Sequence, residues 1–152
     1  METCPWTTVL AALLTPTIAI FGTIIAYRQW RIAQSKLKLD LFDRRFAVYD
    51  AARSVIGSVM GSGKAKDDEL RKFLIGTREA KWLLNPDIAD YLDKQLYAKL
   101  TELLMLDTEL APLPVGDGRT KNVHAQREIK NWLMAQLKVL DEKFSPFLGL
   151  GY

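Results

Sequence analysis

Residues Val9 to Ala26 read VLAALLTPTIAIFGTIIA, with no ionisable side chain among them. Between Thr3 and Tyr27 only Cys4 and Tyr27 can ionise at all. Wound as an α-helix at about 1.5 Å per residue, Val9 to Tyr27 is about 28 Å long, close to the roughly 30 Å hydrocarbon core of a bilayer. The stretch predicts a transmembrane helix. Trp6 near one border, and Tyr27 and Trp30 at the other, put amphipathic rings where headgroups lie. Arg28, Arg31, Lys36 and Lys38 follow the apolar run, whereas Glu2 and the α-amino group precede it. This charge order predicts an N-terminus outside and a cytoplasmic chain after Arg28. A cleaved signal peptide has the reverse order, cations first and a small-residue cleavage site last, so a retained anchor is expected. Pro16, in mid-span, removes one backbone hydrogen bond and predicts a kink, which the hydroxyls of Thr15 and Thr17 can offset.

The same helix carries a seam. Thr8, Ala12, Thr15, Ala19, Gly22 and Ala26 recur at spacings of 4, 3, 4, 3 and 4, all of them small, while Leu10, Leu13, Leu14, Ile18, Ile20, Phe21, Ile24 and Ile25 occupy other faces. Small residues let helix backbones approach closely in lipid, and a seven-residue repeat gives a left-handed crossing. The seam therefore predicts self-association through the membrane segment. In a ring of copies its two threonines can line a narrow polar path, an ion-conducting pore.

About 120 residues remain after the anchor, enough for one compact domain. The chain is 49% apolar and 26% charged, ordinary values for a folded protein. A lone cysteine, Cys4, excludes an intrachain disulfide. The net charge of +3 conceals a division: residues 28 to 60 carry seven Arg or Lys against three Asp, and residues 86 to 115 carry two Lys against six acids. A basic segment beside a membrane attracts anionic lipids.

The expected layout is residues 1-27 for the N-terminus and transmembrane helix, and 28-152 for a cytosolic all-α domain. A first helix near 28-60 carries the stripe Phe42, Phe46, Tyr49, Ala52 or Arg53, Ile56 and Met60, with Leu41, Val48, Ala52, Val55 and Val59 beside it, and ends at Gly61, Ser62 and Gly63. Asp67 or Asp68 caps a second, near 67-84, whose buried face is Leu70, Phe73, Leu74, Thr77, Ala80 and Leu84. Asn85 and Pro86 supply the N-cap and first turn of a third, near 86-110, with Ile88, Leu92, Leu96, Leu100, Leu103 and Leu106 or Leu110 inward. After the loop Ala111 to Gly118, a fourth near 120-143 buries Val123, Ile129, Trp132, Leu133, Leu137, Leu140 and Phe144. The apolar tail Pro146, Phe147, Leu148 and Leu150 is expected to dock on the domain or a partner. No segment shows the alternation of a strand.

Chemistry is sparse. Gly61 to Lys64 reads Gly-Ser-Gly-Lys, yet Ser58 stands where a phosphate-binding loop needs its first glycine and Ala65 replaces the hydroxyl that binds magnesium. His124 is the only histidine and Cys4, the only cysteine, is expected across the membrane from it, so neither a Cys/His metal site nor a Ser-His triad is expected within one chain. Asp87, Asp90 and Asp93 drift around a helix as a solvated face. No enzyme, metal or cofactor is expected. Binding is better supplied: Arg44, Arg45, Arg53, Arg71, Arg78, Lys81, Arg119, Arg127 and Lys130 are interspersed with Tyr49, Trp82, Tyr91 and Trp132. Guanidinium forks match phosphates and aromatic rings stack on bases, so an oligonucleotide or cyclic nucleotide is the expected ligand; ordinary surface arginines with core aromatics are the alternative.

The run Arg28-Gln29-Trp30-Arg31-Ile32-Ala33, with Lys36-Leu37-Lys38-Leu39-Asp40-Leu41-Phe42-Asp43-Arg44-Arg45-Phe46 and Val48-Tyr49, resembles the signature of a widespread family of small, uncharacterised bacterial membrane proteins. The likeness extends to Glu79-Ala80, Leu83-Leu84 and the Phe144 to Leu148 end. It implies a bacterial inner-membrane anchor and a helical cytosolic domain, with no catalytic residues to carry over. In layout the chain also resembles the transmembrane effectors of nucleotide-signalling anti-phage systems, Hailong-type ones included. Those are oligomeric and disrupt the membrane or conduct ions when a nucleotide ligand is gained or lost. The resemblance implies a homo-oligomer, a tetramer in our reading, with a gated pore. The alternative is a membrane-tethered adaptor without a pore that recruits an operon-encoded cytosolic partner.

Overall fold

The computed structural model describes the backbone from Pro5 to Gly149 and the side chains from Thr17. Every element among the described residues is helical: α1 (Pro5–Ser62), α2 (Asp67–Thr77), α3 (Ala80–Leu83), α4 (Pro86–Asp90), a π-helical segment (Tyr91–Tyr97), α5 (Ala98–Leu110) and α6 (Asp117–Leu148). The chain divides between Asp40 and Leu41 into two compact units. In the first, every side chain from Thr17 to Asp40 is exposed. Ile18, Ile20, Phe21, Ile24 and Ile25 stand 48–63% accessible. The polar stretch Gln34 to Lys38 does not interrupt the helix.

The second unit holds the core. Val48, Ala52, Val55, Ile56 and Val59 of α1 meet Leu70 and Phe73 of α2, and Leu133, Leu140 and Phe144 of α6 close the other side, all 5% accessible or less. Burial of each large side chain is worth about 1.5–3 kcal/mol. α1 ends at Ser62 because Gly63 takes φ +73, a left-handed conformation that glycine adopts without strain, and its N–H donates back to the Val59 carbonyl at 2.8 Å. Asn85 caps α4 as its sequence predicts, its Oδ1 accepting from the Ile88 N–H at 3.1 Å with Pro86 in the first turn.

The structure departs from the sequence reading in several places. Lys66, not Asp67 or Asp68, is the N-cap of α2; the two aspartates lie in the first turn, where they oppose the positive end of the helix dipole. The helix expected over 67-84 breaks at Arg78 and Glu79 into α2 and α3. The fourth helix starts at Asp117, shortening the Ala111 to Gly118 loop, and runs through Pro146 to Leu148. Phe147 and Leu148 are thus its last turn, packed against the core; Leu150 lies outside the described residues. Phe46, Leu74 and Val123, expected inside, are 44%, 41% and 48% accessible, whereas Asn122, Gln126 and Gln136 are buried.

The π-helical segment also has a reason in the sequence. Ile88, Leu92, Leu96 and Leu100 are spaced by four, and each is 2% accessible or less. Four-residue steps overshoot a 3.6-residue turn, and the wider π turn takes up the overshoot, keeping all four on one face.

α2 lies hard against α1. A Cβ added at Gly76 would sit 2.6 Å from the Ala51 Cβ, a position that no rotamer change relieves. Gly76→Ala is expected to lower stability by about 1–3 kcal/mol through overpacking, against a gain of about 1 kcal/mol in helix propensity. Urea unfolding of the full-length protein in detergent checks this. Ala51→Gly in the same chain should return part of the loss, and a stabilised Gly76→Ala protein would mean that the helices are not in contact.

Candidate functional site

The structure does not gather the nine candidate basic residues at one place. Arg45 is spent on the fold: its Nε donates to the Leu83 carbonyl at 3.0 Å, its Nη1 to the Phe147 carbonyl at 3.5 Å, and its guanidinium stands 5.9 Å from the Phe147 ring centre. These bonds satisfy carbonyls at the ends of α3 and α6 that have no partner within their helices. Arg119 Nη1 donates to the Leu110 and Leu113 carbonyls at 3.4 and 3.0 Å, holding the loop before α6. Arg53 donates from one nitrogen to the Tyr49 hydroxyl at 2.8 Å and to Asp141 at 3.0 Å. Tyr49 donates to the same carboxylate oxygen at 2.5 Å, and that bond raises the phenol's pKa. This exposed cluster ties α1 to α6. Arg44 pairs with Glu79 at 3.6 Å, and Lys130 donates to Gln126 at 3.4 Å.

Arg71, Arg78, Lys81 and Arg127 remain, without a carboxylate or carbonyl partner among the described residues. Arg78 and Lys81 line a cleft of about 350 Å³ in the second unit. Its lining is completed by Phe73, Leu74, Thr77 and Ala80 and, from α4 and the start of the π-helical segment, by a wall of Ala89, Asp90, Leu92 and Asp93. Asp90 is held by Lys94 at 2.6 Å. A cation pair, apolar side chains and carboxylates in one cleft suit a ligand that carries both negative charge and hydrogen-bond donors. The π-helical segment begins at this wall, and such segments recur at functional sites.

Behind that wall the Tyr91 hydroxyl donates to Gln136 Oε1 at 2.9 Å, and Gln136 Nε2 donates to the Trp132 carbonyl at 3.3 Å. Farther along α6, Asn122 Nδ2 donates to the Leu106 carbonyl and Gln126 Nε2 to Asn122 Oδ1, each at 3.0 Å. No buried side-chain polar atom among the described residues lacks a partner. Burial pushes the Tyr91 phenol up to about 12, because the anion would lose hydration. A folded-state pKa above the unfolded value of 10 means a contribution to stability that is complete below pH 10 and lost as pH rises through about 12. The expected absorbance titration shows a tyrosinate step near pH 12, later than an unperturbed tyrosine, and Tyr91→Phe removes it; a variant that keeps the step assigns it elsewhere.

The seam falls across the limit of the described side chains. Thr8, Ala12, Thr15 and the kink residue Pro16 lie outside them, as do Cys4 and Trp6. Ala19, Gly22 and Ala26 are exposed on α1, and a Cβ at Gly22 would meet nothing within 4 Å. Among the described residues no helix is long and apolar enough to cross a membrane. Of the run Val9 to Ala26, the described side chains Thr17 to Ala26 account for about 15 Å at 1.5 Å per residue, half of a bilayer core. No three His, Cys, Asp or Glu side chains among the described residues converge as metal ligands. Comparison with family models, curated proteins and solved structures finds no match.

Sequence reasoning missed the buried polar ladder of α6. Asn122, Gln126, Ile129, Leu133, Gln136, Leu140 and Phe144 follow spacings of 4, 3, 4, 3, 4 and 4, and that register was the available signal. Choosing only apolar residues put Val123 inside in place of Asn122.

Proposed function

We propose that the chain is a single-pass protein of the bacterial inner membrane, N-terminus outside, that assembles as a homo-oligomer and forms a gated ion-conducting pore. The observation that carries this reading is the first unit: a helix apolar on every face from Ile18 to Ile25, with all its described side chains exposed. A helix hydrophobic all round is stable only when lipid or other helices cover it. Gly22 and the small residues in register with it offer the close approach that helices use in lipid. The helical domain would sense a nucleotide or oligonucleotide at the Arg78–Lys81 cleft and bias the membrane helices between closed and open packings, in anti-phage defence, which the likeness of layout to nucleotide-signalling effectors supports.

Potassium permeability of liposomes containing the full-length protein tests the proposal. Leakage above protein-free vesicles supports a conducting oligomer; tight vesicles, with insertion verified and with nuclease-treated protein tight as well, would overturn it. An adaptor without a pore is favoured by a separate feature, a mostly apolar groove of about 530 Å³ along α5, lined by Tyr97, Thr101, Met105 and Leu106 together with Glu102 and Glu109. Its test is recovery of a bound basic helical partner after mild extraction, lost in a Met105→Glu protein.

A further inference from the structure

We propose that the outward face of α2 and α3 docks on an anionic lipid surface. Ile75 and Trp82 are 69% and 70% accessible, among the most exposed large apolar side chains described, and neither lines the cleft. Arg71 precedes Ile75 by one turn on α2, and Trp82 lies on α3, past the break at Arg78 and Glu79. Arg71 has no ion-pair or hydrogen-bond partner among the described residues, and Lys81 Nζ lies 4.1 Å from the centre of the Trp82 ring. Lys72 stands beside Arg71, and Arg78 lines the cleft.

The acids nearby are already matched or distant. Glu79 faces Arg44 at 3.6 Å and Glu69 faces Lys72 at 3.2 Å, while Asp67 and Asp68 stand at the far end of α2 from Trp82. With Lys72 matched to Glu69, the cations near Ile75 and Trp82 left without a carboxylate partner among the described residues are Arg71, Arg78 and Lys81. An indole and a branched aliphatic side chain among lysine and arginine match the interface of an anionic bilayer, where the ring rests at headgroup depth and the cations meet phosphate. The proposal draws on the membrane reading above only for the bilayer being at hand.

Full-length protein carrying Ile75→Cys in a Cys4→Ser background, labelled with an environment-sensitive fluorophore, reports on this face directly. In vesicles of phosphatidylcholine with phosphatidylglycerol the emission should shift to the blue relative to phosphatidylcholine alone. Arg71→Glu with Lys72→Glu should abolish that shift. Equal emission in the two vesicle types overturns the proposal, as does a shift produced in neutral vesicles by a hexanucleotide and not by phosphatidylglycerol. Alkaline extraction separates the two readings: if the chain is stripped from the vesicles the anchor fails, yet the label still shifts on anionic lipid where the face itself docks.

Discussion

Gly22→Leu is expected to reduce potassium leakage from liposomes to the protein-free background while leaving the unfolding of the helical domain unchanged. Within the chain nothing opposes the substitution, because a Cβ at Gly22 meets no atom within 4 Å and leucine is the better helix former by about 1 kcal/mol. Any loss of function must then arise between chains. Where helices pack along Ala19, Gly22 and Ala26, an isobutyl group at the point of closest approach forces the axes apart. Leakage equal to that of the unsubstituted protein would remove the seam from the pore, whatever the protein's oligomeric state.

Phe144→Ala is expected to cost about 3–5 kcal/mol, the range for deleting a fully buried aromatic ring. Phe144 is 0% accessible, and its ring centre lies 5.5 Å from that of Tyr49, tilted by 60°, so the substitution removes core filling and an edge-to-face contact together. A domain of this size has about 5–15 kcal/mol in all, and the variant should unfold far earlier in a urea titration followed by circular dichroism. Phe46→Ala is the contrast. That ring stacks on Phe42 at 6.0 Å but is 44% accessible, and its loss should cost less than about 1 kcal/mol. Similar losses at the two positions would mean that α6 does not close the core through Phe144.

Much of the helical layout was legible in local signals. Gly63 and the Asn85–Pro86 pair mark their boundaries through chemistry that acts within four residues, and the structure keeps both. Apolar spacing identified the inward faces of α1 and of the α4 to α5 run because burial of a helix face repeats with the turn. The failures have one origin, which is that local pattern does not know what lies opposite. Leu74 and Val123 satisfy the period and stay exposed because nothing packs over them, whereas Asn122 and Gln136 lie buried because the Leu106 carbonyl and the Tyr91 hydroxyl meet them there.

The candidate site divides in the same way. Composition and spacing alone determined the helical class of the described residues, an apolar N-terminal run bordered by arginines, and a supply of cations. Which cations are available was decided only by tertiary structure. Arg45 and Arg119 are taken by carbonyls brought to them from as far as Phe147, and Arg53 by Asp141, whereas the guanidiniums of Arg71 and Arg78 have no such partner among the described residues. A guanidinium's partner is set by packing between helices distant in sequence, and the order of residues along one helix carries no record of it.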